Sequence, residues 1–340
     1  MSEVTFYTID LAKRVFQLHG FTEHGRRVLK RRLSRAKLQH FFDTQARPGA
    51  SVVMEACGSA HFWARWLAGR GFEPVLLPAG QVKAFVHGNK TDARDADALA
   101  VAYRCGQLQP VAIKTETAQQ IQMLHQVRRR RMANRTAVMN QQRALLREHG
   151  IVVARGGAAL SRAVAEQLAP EGELEVRAQA LLSDLRAEWQ DLEAAIARLE
   201  RELAQLFRQS EPCQRLAEIP GIGPITATAL VAWLGDVQRF RRARAAAAWL
   251  GLTPAEHSSG ERQRLGAITK CGNTYLRMLL VHGARSAKNA AMHRDDPRSR
   301  WLQRLAARRG ANRATVALAN KNARIVWALL AHGTRYQPSA

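Results

Sequence analysis

The stretch Val4-Thr-Phe-Tyr-Thr-Ile-Asp10 is a short apolar run that ends in an aspartate, and it decides how the first third of the chain is interpreted. A run of this length, rich in aromatic and β-branched residues, predicts a buried strand. Strand patterns at Arg14–Phe21 and Arg27–Leu33 follow, and from Lys37 to Tyr103 helix and strand patterns alternate. Three strands followed by this alternation predict an α/β domain with a mixed sheet.

Four carboxylates stand where such a domain would place a metal site. Asp10 ends the first strand pattern, Glu55 ends another at Ser51-Val-Val-Met, and Asp92 and Asp95 lie three residues apart in a helix pattern. Functional groups gather at strand ends in open α/β sheets, and residues three apart share a helix face. Carboxylates are preferred ligands of Mg²⁺, and paired ions of this kind promote phosphodiester cleavage. The four acids therefore predict Mg²⁺- or Mn²⁺-dependent chemistry on nucleic acid.

A structural alternative covers part of this set. Asp92 and Asp95 have the spacing of a helix cap and its supporting acid. That alternative explains neither Asp10 nor Glu55. Asp97 falls on another side of the same helix pattern and is a poorer candidate ligand.

The charge of the chain indicates a polyanionic partner. Its 340 residues include 52 Lys and Arg against 28 Asp and Glu, a formal net charge of +24. Such a surface attracts nucleic acid or an anionic membrane. No stretch approaches the roughly 18 uninterrupted apolar residues of a spanning helix, and no signal peptide pattern opens the chain. The four cysteines form no CxxC pair, so we expect a cytoplasmic protein without a membrane partner.

The central part of the sequence predicts two long helices. Ala118–Arg147 contains seven arginines and no acid, and four of the arginines are consecutive. These four are candidate contacts to RNA or DNA: Arg128, Arg129, Arg130 and Arg131. Further on, apolar residues recur at heptad spacing, at Leu182, Leu185, Trp189, Leu192, Ile196, Leu199, Leu203 and Leu206. This seam predicts a coiled-coil partner, which is either the basic helix of the same chain or a copy in a second subunit.

A glycine hairpin opens the last third of the chain. Ile219-Pro-Gly-Ile-Gly-Pro224 has the form of a helix-hairpin-helix. Gly221 and Gly223 would let backbone amides approach a phosphate closely, with a helix N-terminus behind them. The alternative is a sharp turn between packed helices. After Asp296 the chain has nine basic residues and no acid, which favours either a second phosphate-binding surface or a solvated basic one.

Several motifs occur together in the order of a known family. They are Ile9-Asp-Leu-Ala-Lys13, Met54-Glu-Ala-Cys-Gly58, Asn89-Lys-Thr-Asp-Ala-Arg-Asp-Ala96, Pro220-Gly-Ile-Gly223, Gly251-Leu-Thr-Pro254, Ser258-Ser-Gly260 and Gly266-Ala-Ile-Thr-Lys-Cys-Gly272. With them, nearly the whole chain resembles the DEDD-type insertion-sequence transposases related to the Piv invertases, the IS110 family of bridge-RNA-guided recombinases.

The resemblance implies three domains. A RuvC-like, RNase H-type domain would span residues 1–115, a helical spacer that mediates assembly 116–208, and a C-terminal transposase domain 209–340. The family's four acids fall on Asp10, Glu55, Asp92 and Asp95. Its catalytic serine falls on Ser259, with Ser258 the weaker candidate.

The resemblance also implies the reaction and its partners. Donor and target duplexes would be selected by a structured noncoding bridge RNA, and strands would be exchanged through a phosphoserine by a homo-oligomer, a dimer or tetramer. Arg262 and Arg264 flank the serine and are candidate phosphate ligands.

Two other functions remain open from the residues. One is a RuvC-like nuclease that uses metal-activated water and has no need of Ser259. The other is a non-enzymatic nucleic-acid-binding protein that would keep its activity without the carboxylates.

Overall fold

The structure is a computed structural model that describes residues 4–85, 92–260 and 262–338, with the side chains of 92–94 left out. The chain divides into two compact units, residues 1–115 and 116–340, and each is described by itself. The division point equals the first predicted domain boundary. The second predicted boundary, at 208/209, falls inside the second unit next to Ser210, and the three-domain organisation stays a prediction.

The first unit is built on a five-stranded mixed sheet with the order β3-β2-β1-β4-β5. Strands β1, β2 and β3 are antiparallel, whereas β4 and β5 continue parallel to β1. This confirms the mixed sheet expected from the sequence. Its elements are β1 (Phe6–Asp10), β2 (Val15–Phe21), β3 (Arg27–Ser34), α1 (Arg35–Thr44), β4 (Ser51–Glu55), α2 (Ala60–Ala68), β5 (Glu73–Leu77), α3 (Ala79–Val82) and α4 (Asp92–Cys105).

Both faces of the sheet are covered, which explains why β1 and β4 are almost uniformly apolar. On one face, Tyr7 and Ile9 pack with α1 and α2 around the fully buried Trp63. On the other face, Phe6 and Val53 pack with α4. Because strand residues alternate between faces, Asp10 and Glu55 lie on the α4 face, in line with Phe6 and Val53.

The second unit is helical apart from one short hairpin. Its elements are α5 (Glu116–Glu148), α6 (Gly157–Gln167), α7 (Val176–Gln209), α8 (Glu211–Ala217), α9 (Pro224–Leu234), α10 (Ala243–Trp249), β6 (Pro254–Glu256), β7 (Leu265–Ile268), α11 (Thr274–Ala291), α12 (Pro297–Arg309) and α13 (Ala311–His332). The core of this unit forms around α9, α11 and α13. No helix in the described ranges has both the length and the apolar character needed to cross a bilayer.

The heptad seam of α7 packs along α5 of the same chain. Leu182, Ile196 and Leu203 of the seam are buried. Ion pairs join the two helices from Arg128 to Glu200 and from Arg135 to Glu193. Residue numbers rise along one helix as they fall along the other, so the pair is antiparallel. Of the two partners left open by the sequence, the structure uses the basic helix of the same chain.

Candidate functional site

Asp10 and Glu55 are neighbours at one edge of the first sheet. Strands β1 and β4 are parallel and pair Ile9 with Met54, so the next residues, Asp10 and Glu55, end the two strands side by side. Both side chains are half-buried. Adjacent carboxylates at the carboxyl end of a parallel pair have the oxygen donors that a hard cation prefers.

Helix α4 brings a third carboxylate towards this edge. The ring of Tyr103, near the end of α4, lies 5.2 Å from that of Phe6 at the start of β1. The helix therefore runs back along β1, and its first turns lie towards the end that carries Asp10. Asp95 precedes the buried Leu99 by one turn and shares its helix face. This places Asp95 on the side of α4 that faces the sheet.

The fourth predicted ligand, Asp92, begins α4, but its side chain lies outside the described residues. Among the side chains that are described, no group of three or more His, Cys, Asp or Glu is close enough to hold a metal ion. The topology therefore brings Asp10 and Glu55 together and directs α4 towards them. The four-carboxylate metal site itself stays a prediction.

Asp97 is engaged elsewhere, in a contact that we call the α4 clamp (His19, Arg27 and Asp97). Its carboxylate lies 2.9 Å from Nδ1 of the fully buried His19 and accepts a 2.6 Å bond from Arg27. Burial lowers the pKa of His19, although Asp97 acts in the opposite direction. The clamp joins β2 and β3 to α4, the helix that carries Asp92 and Asp95. Asp97 thus has a structural role that accounts for its poor fit as a ligand.

Ser259 lies near the tip of the serine hairpin, residues 254–268, which contains β6 and β7. The sequence did not predict these two strands. The backbones of Ser259 and Arg262 bond to each other at 3.4 and 3.2 Å, and Gly260 supplies the left-handed φ of +57° that the turn needs. Ser259 is exposed, as are its described neighbours Ser258, Gly260 and Arg262, which leaves Ser259 accessible to a large substrate.

The two serines of this hairpin have different partners. Ser258 Oγ donates to Glu256 Oε1 at 2.7 Å and accepts from the backbone N–H of Arg264 at 3.2 Å. The bonds from Ser258 and then Gln263 lower the pKa of Glu256, which makes this carboxylate a poor base for activating Ser258. Among the described residues, the Ser259 hydroxyl makes no hydrogen bond. Ser258 therefore fixes the hairpin, and Ser259 is left available.

Alternation along the hairpin sorts its side chains into two faces. Glu256 accepts hydrogen bonds from Ser258 and from Gln263, so these three side chains define one face. The residues between them, His257, Ser259, Arg262 and Arg264, alternate onto the opposite face. Ser259 and Arg262 are directly opposite each other in the hairpin, and such pairs point to the same side.

His257 is the residue that sequence reasoning missed here. Only the register of the hairpin, which pairs the N–H of His257 with the carbonyl of Arg264 at 3.0 Å, places it on the face of Ser259.

The glycine hairpin between α8 and α9 is a close-packed element of the second unit. A Cβ on Gly221 would lie 2.6 Å from the carbonyl oxygen of Gly283 in α11, so this glycine is required by backbone contact between two elements. The carbonyl of Pro220 accepts bonds from Arg298 and Asn322. Gly223 is exposed and has open space around it. The role of Gly221 in packing is thus established, and phosphate binding by Gly221 and Gly223 stays a prediction.

The four consecutive arginines of α5 also differ from one another. The side chain of Arg128 is only 12% exposed, and it donates to Glu200 at 2.8 Å. Arg131 is half-buried, whereas Arg129 and Arg130 are exposed. Arg128 therefore joins α5 to α7, and the exposed Arg129 and Arg130 are the ones accessible to a polyanion.

A buried histidine joins this basic helix to the C-terminal helices. His125 Nδ1 lies 3.1 Å from the Tyr275 hydroxyl in α11, and its Nε2 lies 3.1 Å from the Thr228 hydroxyl in α9. Burial, with a smaller contribution from Arg128, lowers the pKa of His125 to about 4. Burial likewise raises the pKa of Tyr275. The histidine is neutral and links three helices.

Comparison with known families covers most of the chain. A family model described as "Transposase IS116/IS110/IS902 family" matches residues 213–300. A second model, for DEDD transposases of the IS110 type and described as "Transposase", matches residues 8–151. The first match contains Ser259 and the second contains all four acids.

Individual relatives match over nearly their full length. The chain is 46% identical over 339 residues to a probable family 20 transposase of Pseudomonas aeruginosa, covering 97% of this chain and 98% of the relative. It is 40% identical to the transposase for insertion sequence element IS1111A of Coxiella burnetii, covering 100% and 93%. It is 36% identical to the transposase for insertion sequence element IS1328 of Yersinia enterocolitica, covering 98% and 99%.

Proposed function

Because this chain belongs to the IS116/IS110/IS902 family of transposases, we propose that it exchanges DNA strands through a phosphoserine formed on Ser259, with divalent metal held by carboxylates of the first unit. That it is an insertion-sequence transposase, a DNA-processing enzyme, follows from the family. The nucleophile, the metal and the guide are our proposal. The observation that carries it is the contrast between Ser258, which is bonded on both sides, and Ser259, which is free.

The carboxylates fit a hard divalent cation. Asp10 and Glu55 end adjacent parallel strands, and α4 carries Asp92 and Asp95 towards the same edge. Their donor atoms are all oxygens, which suits Mg²⁺ or Mn²⁺ better than a softer metal. When bound, the metal would stabilise negative charge that develops on a phosphate under attack.

In the proposed reaction, each P–O bond that breaks is replaced by another, so the phosphate stays a diester. Attack by Ser259 Oγ forms an O–P bond, breaks the bond from phosphorus to the 3′ oxygen and releases the serine proton, while the 3′ oxygen leaves as a hydroxyl. A 3′-hydroxyl of another strand then attacks the phosphoserine, and Oγ departs with a proton. No nucleotide cofactor is needed because a phosphodiester is present throughout. Arg262, which shares the face of Ser259, would hold the phosphate.

The reaction needs both units at once. The hydroxyl belongs to residues 116–340 and the carboxylates to residues 1–115. We propose that they meet in a homo-oligomer, a dimer or tetramer, assembled on donor and target duplexes. A structured bridge RNA would select those duplexes by base pairing, and the protein would bind RNA shape and phosphates through exposed cations such as Arg129 and Arg130.

Covalent trapping tests this proposal. Cells would express the full chain and carry a plasmid with the insertion sequence that encodes it, together with the flanking noncoding DNA. Protein–DNA complexes would be isolated under denaturing conditions, and the modified residue would be identified by mass spectrometry. We expect an adduct on Ser259 that is absent in Ser259→Ala and in Asp10→Asn.

Ser258→Ala is the matched control. It removes a neighbouring hydroxyl and loosens the hairpin, so adduct should persist at a reduced level. Strand cleavage that continues in Ser259→Ala with no adduct would instead identify a nuclease that uses water. Intact DNA binding and recombination in Asp10→Asn would identify a protein whose carboxylates are not used.

A further inference from the structure

A groove runs between the last two long helices of the second unit. A cavity of about 550 Å³ is lined by Trp301 of α12, by Ala317, Lys321 and Arg324 of α13, and by Ala243 at the start of α10. A second cavity of about 230 Å³ shares Lys321 with the first in its lining and is also lined by Arg298 and Tyr336. We call these two cavities together the C-terminal groove.

The groove is positively charged. Lys321 and Arg324 line it, and within the described part of the chain neither forms an ion pair. Arg298 is held by the Tyr336 hydroxyl at 2.8 Å and by Asn322 at 2.8 Å, so its guanidinium is fixed at one end. Both lining helices lie in the part of the sequence after Asp296 that has no acid. A polyanion is the complementary ligand.

The groove also offers an aromatic surface. Trp301 is half-buried in the wall, where it packs against the core of the second unit, and Nζ of Lys321 lies over its ring at 4.8 Å from the centre. A base that stacks on this ring would have to displace the Lys321 ammonium group, which could then move to a phosphate. Alanines at 243, 317 and 328 line the space around it, and they leave room for a flat group. A basic groove with an aromatic ring is the pattern by which proteins bind single-stranded nucleic acid, because phosphates meet the cations while bases stack on the ring.

A duplex fits this groove poorly. Its bases are paired and stacked on each other, so they present edges rather than faces to a protein. A basic surface that only follows duplex phosphates has no use for an indole in a recess. The combination of Trp301, Lys321 and Arg324 would therefore favour unpaired nucleotides over a duplex.

We propose that the C-terminal groove binds unpaired nucleotides, with a base against Trp301 and phosphates at Lys321 and Arg324. The strand is either an unpaired segment of RNA or a DNA strand separated from its complement. This binding uses neither Ser259 nor the carboxylates, so it stands or falls independently of the phosphoserine chemistry.

Binding of short oligonucleotides to the full-length protein tests the groove. Labelled dT12, rU12 and a 12-base-pair duplex would be titrated by fluorescence anisotropy at several salt concentrations. We expect Trp301→Leu, which keeps apolar volume but removes stacking, to weaken binding of a single strand roughly tenfold. Duplex binding should change less than about twofold, and Trp301→Phe should retain most of the single-strand affinity.

Matched controls separate the groove from general effects. Trp66→Leu alters a half-buried tryptophan of the first unit that stacks on Arg70, and it should leave binding unchanged. Lys321→Ala and Arg324→Ala should each reduce the slope of log K against log salt for single strands by about 0.7. Arg308→Ala, on the exposed side of α12, should reduce it less.

The outcomes divide clearly. Loss for rU12 alone, for dT12 alone or for both supports the groove and identifies which strand it accepts. Unchanged single-strand binding in a Trp301→Leu protein with a wild-type melting temperature overturns it, as does equal loss for the duplex.

Discussion

Ser258 and Ser259 show how much a single residue's position decides. The motif predicts a serine before a glycine, yet composition alone cannot tell which hydroxyl is free. The structure separates them because the hairpin alternates its side chains between two faces. Ser258 bonds across the hairpin to Glu256 and to the backbone of Arg264, whereas Ser259 points to the face of Arg262. Of the two hydroxyls, that of Ser259 is thus the one without a hydrogen bond, and its role as nucleophile stays a proposal.

His125 carries a pH dependence that belongs to one side chain. Its pKa of about 4 lies below the ordinary value of 6.5 because the ring is buried. The unfolded chain therefore takes up a proton at a pH where the folded chain does not. The contribution of His125 to stability is complete above pH 6.5 and is lost as the pH falls towards 4.

The change His125→Gln tests this. Between pH 7 and pH 5 the wild type should lose about 2 kcal/mol of unfolding free energy through this residue. His125→Gln should be less stable at pH 7 but should lack that share of the pH dependence. Urea unfolding of the full chain, followed by tryptophan fluorescence, measures both quantities. His149→Gln, at an exposed site, is the control, and equal pH dependence in His125→Gln and the wild type would contradict the assignment.

Helix α4 is the element that determines whether the acids can act together. It carries Asp92 and Asp95, and the α4 clamp is one of its attachments to the sheet. The sequence predicted the helix and the poor fit of Asp97 as a ligand, but it did not predict the clamp. His19 and Asp97 are 78 positions apart. A local sequence pattern does not indicate which strand a helix packs against, so this contact could not be predicted.

Asp97→Ala should therefore loosen α4. The substitution leaves the buried His19 without its carboxylate, which costs roughly 1–3 kcal/mol. The melting temperature of the first unit should fall, and Mn²⁺ binding, measured by electron paramagnetic resonance, should weaken with it. Asp43→Ala breaks an exposed ion pair with Arg70 in the same unit and should cost less than about 1 kcal/mol. Equal effects of the two substitutions would rule out a special role for the clamp.

At the scale of the whole molecule, the predicted long helix with the heptad repeat is present as α7, whereas the coiled coil stays a prediction and the partner of the repeat was left open by the sequence. A repeat of apolar residues gives the face that must be covered, yet it carries no information on which helix covers it. The pairing of Arg128 with Glu200 connects positions 72 residues apart. The first unit was more predictable because its buried strands are apolar runs. The serine hairpin was not, because its exposed strands lack the alternation that identifies a strand.

Because the seam of α7 packs against α5 of the same chain, disrupting it should unfold the second unit rather than separate subunits. Leu203→Lys places a charge at a fully buried position of α7 and should destabilise the second unit by about 4 kcal/mol or more. Leu181→Lys, at a 54% exposed position of the same helix, should be nearly neutral. Thermal unfolding and analytical ultracentrifugation distinguish the cases. A Leu203→Lys protein that stays folded but dissociates would show that the seam joins subunits after all.

The lack of a hydrogen bond to the Ser259 hydroxyl affects how this serine should react with covalent inhibitors. Fluorophosphonate reagents label serines that a neighbouring base has already activated, and in the described residues no histidine or carboxylate accepts a hydrogen bond from Ser259. Without bound DNA, the enzyme should therefore not be labelled by fluorophosphonates. Under the proposed mechanism, a covalent inhibitor of Ser259 would have to be attached to a DNA mimic, because the Ser259 oxygen would become reactive only in the assembled complex.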